Sequence, residues 1–213
     1  MHTPLSKRSL RALSIAALTA ALLSGCSSSG SELLEPEPRQ AVFPLPERYL
    51  GEYTNDWGAT RTQGNHEGTD IYAPEGTEVR SITDGTVVPA EENNEDGWNT
   101  LGGYTVNVRA ENEVGPVERG DAFYYAHLRQ PSPLEPGDSV EAGEKLGEVG
   151  STGGGPPVTR EAGPPHLHLG WYVSEQNQQA ESGARNPYSL LERLRQSGGS
   201  FTVQPEGPFS RSD

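Results

Sequence analysis

His166 and His168 stand one residue apart in Pro165-His166-Leu167-His168-Leu169, entered through the run Gly163-Pro164-Pro165. Leu167, Leu169, Trp171 and Val173 alternate with His166, His168, Gly170 and Tyr172, which is the period of a strand. Residues two apart in a strand point to one face, so both imidazoles look at one place, roughly 7 Å apart at the backbone. One of them can bind a metal while the other reaches a molecule held on that metal. A lone histidine is usually structural, but the count here argues for more. The chain has five histidines, and His2 lies in a leader. The other four, His66, His127, His166 and His168, are read as one site.

His66 and Asp70 lie four apart in Asn65-His66-Glu67-Gly68-Thr69-Asp70. On a helix this spacing imitates the H-E-x-x-H zinc motif, with Glu67 as base. On a strand the two positions also share a face. Gly64, Gly68 and the turn Ala73-Pro74-Glu75-Gly76 argue against a helix. The stretch is therefore read as strand or loop, with Glu67 pointing away. A catalytic zinc takes three protein ligands and keeps a fourth position for water. The His166-Leu167-His168 strand can supply the third ligand, and the residues alone do not say which histidine it is. Imidazole and carboxylate suit Zn²⁺ without any cysteine.

The elements that must hold these residues are short strands. Thr77 to Ile82, Gly85 to Val88, Tyr104 to Arg109 and Ala122 to Leu128 alternate between turn signals, which predicts an antiparallel, mostly β domain. One short helix is expected near the end. Asn186 would cap it, Pro187 would open it, Leu190, Leu191 and Leu194 form its apolar stripe, and Gly198 stops it. Two loops flank the strands, at residues 91–103 and 153–165. Trp98 in the first either stacks on a ligand or caps the sheet edge.

The chain of 213 residues reads as one domain with tails. Residues 1–25 have a basic start (Lys7, Arg8, Arg11) and an apolar stretch too short to span a bilayer, and read as a signal peptide. Leu23-Ser24-Gly25-Cys26 resembles a bacterial lipobox, which implies acylation of Cys26 and an extracytoplasmic lipoprotein of the cell envelope, held on a membrane. Cys26 is the only cysteine, so no disulfide is expected. Residues 26–41, rich in Ser, Glu and Pro, read as a disordered tether, 42–196 as the domain and 197–213 as a flexible tail. Losing Lys7, Arg8 and Arg11 with the leader leaves 13 of 16 basic residues against 30 acidic ones, a formal charge of −17. Nucleic acid is excluded as a partner, because phosphate binding needs basic patches.

Asn65 to Asp70, Tyr125-Ala126-His127-Leu128 and His166-Leu167-His168 together resemble the three motifs of the M23 family, the lysostaphin/LytM-like zinc endopeptidases of bacterial cell walls. The likeness covers roughly residues 43–195 and includes Asp56-Trp57-Gly58 through Arg61 and the turn at Asn186-Pro187. It implies an antiparallel β-sandwich of LytM-like, duplicated-hybrid-motif-like form. It implies one Zn²⁺ per chain on His66, Asp70 and His168, with His127 and His166 handling protons and stabilising the oxyanion. The implied substrate is the peptide of peptidoglycan, with Arg61 and Trp98 as candidate substrate contacts. Members can be silenced by an asparagine donated from an N-terminal segment. Cys26 to Tyr53 contains none, which leaves regulation to a partner protein.

Two rivals remain. A LytM-like module can regulate another hydrolase, or bind cell wall, without cutting. Such modules have lost ligands, whereas all five polar residues are present here. Leu134 to Gly147 resembles half of a biotinyl or lipoyl carrier, but Lys145, the only lysine after the leader, sits inside a strand signal. Shared β architecture accounts for that likeness better.

Overall fold

Apolar residues alternate with polar ones in short runs along the chain, and each run becomes a strand with one buried face. The structure, a computed structural model, describes residues 37–62, 64–89, 97–154, 162–173 and 183–205. The first strands are β1 (Arg39–Val42), β2 (Thr60–Arg61), β3 (Gly64–Asn65), β4 (Thr69–Tyr72), β5 (Glu78–Arg80) and β6 (Gly85–Val88). Then come β7 (Trp98–Asn99), β8 (Gly103–Ala110), β9 (Ala122–Leu128), β10 (Ser139–Val140), β11 (Lys145–Glu148) and β12 (His166–Tyr172). Helix α1 (Tyr188–Gln196) and strand β13 (Ser200–Val203) follow. This is the expected mostly β architecture with one short helix near the end.

Seven strands form an antiparallel sheet in the order β10-β6-β8-β9-β12-β4, with β7 added beside β8. The order decides where the chemistry sits. The strand β12 carries His166 and His168 and lies between β9, which carries His127, and β4, which carries Asp70. The inner face of β12 presents Leu167, Leu169 and Trp171, all essentially without solvent exposure. They share the core with Ile71, Val106, Val108, Phe123 and Tyr125. Burying each large apolar side chain contributes about 2 kcal/mol. Two polar groups that enter the core are paired: Trp171 Nε1 donates to Asp121 Oδ2 at 2.9 Å, and the Ile82 N–H donates to Tyr125 Oη at 2.9 Å.

The helix starts and stops as its residues direct. Asn186 Oδ1 accepts the Tyr188 N–H at 2.9 Å. Leu190, Leu191 and Leu194 are buried, and Gly198 ends the helix at φ +75°.

The pairing reaches beyond the expected bounds of 42 and 196. The strand β13 lies in the expected loose tail and pairs antiparallel with β1, so Arg39–Ala41 is strand and not tether. Ala41 is fully buried there, and Arg193 covers the Phe201 ring at 4.3 Å. Each strand has only four residues, and what makes them strands is a partner about 160 positions away along the chain. The signal peptide, Cys26 and most of the tether lie outside the described residues, as do residues 91–96 of the 91–103 loop, the middle of the 153–165 loop and the last eight residues. No helix among the described residues is long and apolar enough to cross a membrane. Lys145 opens β11 and pairs with Glu148 at 2.8 Å, and is not at a hairpin tip as in a carrier domain.

Candidate metal centre

The register of β4 against β12 sets Asp70 opposite His168, and the loop before β4 brings His66 to the same place. His66 Nε2 lies 3.1 Å from Asp70 Oδ1 and 2.9 Å from His168 Nδ1, and His168 Nδ1 lies 3.0 Å from Asp70 Oδ1. With Zn–N and Zn–O bonds of about 2.0–2.1 Å in a tetrahedron, ligand atoms stand about 3.3 Å apart. The observed spacings come within a few tenths of that, and the donor set of two imidazoles and one carboxylate suits zinc. His66, Asp70 and His168 thus fit the metal that the motifs imply. Glu67 is exposed, and residues 66–68 are not helical, as the glycines directed.

The backbone fixes His66 first: its N–H donates to Ala59 O at 3.0 Å, and its O accepts the Gly58 N–H at 2.8 Å. Asp56 then fixes the ring, with Oδ2 at 3.1 Å from Nδ1. With the proton on Nδ1, Nε2 presents its lone pair to the metal position. Burial alone would lower the His66 pKa, but the Asp56 and Asp70 carboxylates outweigh it and raise it to about 9. Burial would raise the Asp70 pKa, yet hydrogen bonds from His168 and His66 hold that carboxyl well below the usual range. His168 is pushed down, by burial first, against the pull of Asp70. Gly68 leaves room for this packing, because a Cβ there would stand 2.5 Å from His168 Cε1 and 2.7 Å from Leu169 O.

His127 and His166 face the same point from the other side. Their ring centroids are 4.6 Å apart, and His127 is 5.8 Å from His168. His127 Nδ1–H donates to Thr152 O at 2.7 Å, and His166 Nδ1–H donates to Pro164 O at 2.7 Å. Both rings therefore turn Nε2 away from those carbonyls, and His166 Nε2 lies 3.7 Å from Asp70 Oδ1. Burial, then the neighbouring His166 and His168, bring the His127 pKa down to about 3, so its imidazole is neutral near pH 7. His127 has φ +60°, the one non-glycine residue in the left-handed region among the described residues. It sits where the β8–β9 register shifts, and its N–H and O are tied to Gly102 O and the Gly150 N–H. Such strain concentrates where function requires a particular side-chain direction.

Of the two candidate substrate contacts, Arg61 joins the metal group. Its Nη2 bridges Asp56 Oδ2 at 2.9 Å and Asp70 Oδ2 at 3.0 Å, leaving Asp70 Oδ1 to face the histidines. Trp98 packs edge-on against Tyr104 at 4.9 Å, at the margin of the sheet. The sequence reading passed over Asp56 and Gly68 as site residues and over the Thr152 and Pro164 carbonyls. Gly68, between two candidate ligands, and Asp56, inside the stretch that resembles the family, were the two of these with a visible signal.

Three comparisons bear on this geometry. The model of Peptidase family M23 matches residues 64–180. The L-Ala--D-Glu endopeptidase of Bacillus subtilis (strain 168) is 40% identical over 135 residues, 62% of this chain and 37% of that one. The glycyl-glycine endopeptidase ALE-1 of Staphylococcus capitis is 37% identical over 108 residues, 50% of this chain and 24% of that one. The chain thus spans only a quarter to little over a third of the length of these curated relatives. A crystal structure of lytM from Ruminococcus gnavus superposes with a TM-score of 0.53 at 37% identity, covering 69% of this chain and 55% of that one.

Proposed function

Because this chain belongs to peptidase family M23, we propose that it is a zinc-dependent endopeptidase hydrolysing peptide bonds of bacterial peptidoglycan. The observation that carries the reading is the convergence of Asp70 with four histidines, three groups spaced as metal ligands and two with Nδ1–H committed to backbone carbonyls. Peptide hydrolysis needs a proton taken from water, charge stabilised on the carbonyl oxygen, and a proton given to the leaving amine. His66, Asp70 and His168 would hold Zn²⁺, which would supply Lewis acidity to the carbonyl and to water. We assign proton acceptance to His127, whose neutral ring keeps a lone pair on Nε2. We assign the oxyanion contact to His166, whose ring faces the same point as His127 and whose Nδ1 is held by Pro164 O.

Cys26 is proposed as the acylated anchor on the basis of the lipobox and the leader before it. The test of the metal assignment separates binding from rate. His168→Ala and Asp70→Ala lose both zinc and cleavage. His127→Ala keeps one zinc per chain, by metal analysis, and loses about 10²–10⁴ in rate. A His127→Ala protein that cleaves at the parent rate contradicts the assignment.

A further inference from the structure

A groove of about 410 Å³ opens beside His166, its walls including Arg48, Tyr49, Glu52, Tyr72, Pro164 and Pro165. Two of these residues belong to the surroundings of the metal centre. Tyr72 pairs in register with His166, and its ring lies 5.7 Å from the imidazole. Pro164 O is the acceptor that orients His166. A molecule lying in the groove therefore touches the residues around a proposed catalytic imidazole. Tyr72 is 47% exposed and lines the groove. The Tyr72 N–H donates to Glu52 O at 2.8 Å, which ties the Arg48–Glu52 segment to the sheet edge.

The cation of this groove is Arg48. Its guanidinium lies over the Tyr49 ring, 4.7 Å from the centroid. Arg61, Arg80, Arg129, Arg195 and Lys145 each pair with a carboxylate. Arg48 pairs with none among the described residues, although Glu52 lines the same groove and the chain has 30 acidic residues against 16 basic. A guanidinium held against Tyr49 by stacking and a hydrogen bond, and not neutralised by a carboxylate, is suited to capture of a carboxylate. The bonds in the names of the two curated relatives differ in this respect. An L-Ala–D-Glu bond has a carboxylate on the residue next to the cut, and a glycyl-glycine bond has none.

We propose that Arg48, with Tyr49 and Tyr72, forms a subsite for a carboxylate on the residue beside the cleaved bond, so that the preferred substrates are acidic stem peptides and not glycine bridges. This deepens the peptidase reading and rests on it for cleavage, though not for binding. The probes are two blocked tripeptides built on L-Ala–D-Glu, one with the free glutamate carboxylate and one with that group as carboxamide. Blocking both termini leaves the glutamate as the sole source of the carboxylate. Binding to the zinc-loaded protein is measured by calorimetry, and cleavage is followed separately. The expected result is about tenfold tighter binding of the acid, weakening with salt. Arg48→Gln removes that difference while binding the carboxamide within about twofold of the parent, and Arg48→Lys, which keeps charge without the fork, falls between. Equal binding of acid and amide by the parent, or an undiminished preference in Arg48→Gln, overturns the subsite. If the parent shows the preference but cleaves neither peptide nor peptidoglycan, the subsite stands and the peptidase reading fails.

Discussion

Replacing Asp56 by Asn keeps the shape of the residue that orients His66 and removes its charge. Two consequences follow, and they act in opposite directions at neutral pH. The carboxylate holds the Nδ1 proton of His66, a proposed ligand, at 3.1 Å, and losing such a partner typically weakens metal binding 10–100-fold, about 1.4–2.8 kcal/mol. The same carboxylate is the leading reason that the metal-free His66 pKa rises to about 9 against the effect of burial. Metal must displace the second ring proton, on Nε2, so the parent protein binds zinc more tightly as pH rises toward 9. The gain is about tenfold per unit, or roughly 100-fold between pH 7 and pH 9. Without the Asp56 charge the proton is held less firmly, and the slope flattens. Asp56→Asn is therefore much weaker than the parent at pH 9 and much closer to it at pH 7. Competition with a fluorescent zinc chelator at constant ionic strength, from pH 6.5 to 9.5, reads both curves. A flat parent curve, or a variant with the parent slope, refutes the argument.

Gly68→Ala sets a methyl group 2.5 Å from the His168 ring and against Leu169 O. It is expected to lose zinc on dialysis against a weak chelator and to lower the melting point through about 1–3 kcal/mol of overpacking; full zinc retention contradicts the geometry. Burial holds the His127 pKa down to about 3, so below pH 6.5 the unfolded chain binds a proton that the folded chain does not. This contribution to stability is complete above pH 6.5 and is lost as pH falls toward 3. The Tm of the metal-free protein should drop over that range, and drop less steeply in His127→Gln; parallel curves show that His127 carries none of it. Cys26→Ser should release the protein from the membrane fraction on fractionation, and retention there shows that the anchor is something else.

The alternation of Leu167, Leu169 and Trp171 with His166 and His168 was visible in the sequence because a strand period needs only neighbours. The same holds for Asn186 and Gly198 at the helix ends. The glycines around His66 were enough to decide against a helix. The contacts that orient the rings were not visible. His127 and His166 each donate to a carbonyl, of Thr152 and Pro164, and any residue type can offer a carbonyl. Asp56 reaches His66 only because the turn around Gly58 folds the two together, and Arg61, a candidate substrate contact in the sequence, turns out to lie between Asp56 and Asp70. The pairing of β1 with β13 joins chain ends whose local composition reads as loose, and only the long-range partner makes strands of them.

The most direct measurement is digestion of purified peptidoglycan by the zinc-loaded protein, with mass spectrometry of the released fragments. The account predicts new free amino groups that identify one peptide bond and that are absent with His168→Ala, whose metal centre lacks a ligand. Intact peptides, from a protein shown to hold one zinc per chain and presented with walls of several peptide compositions, would contradict it.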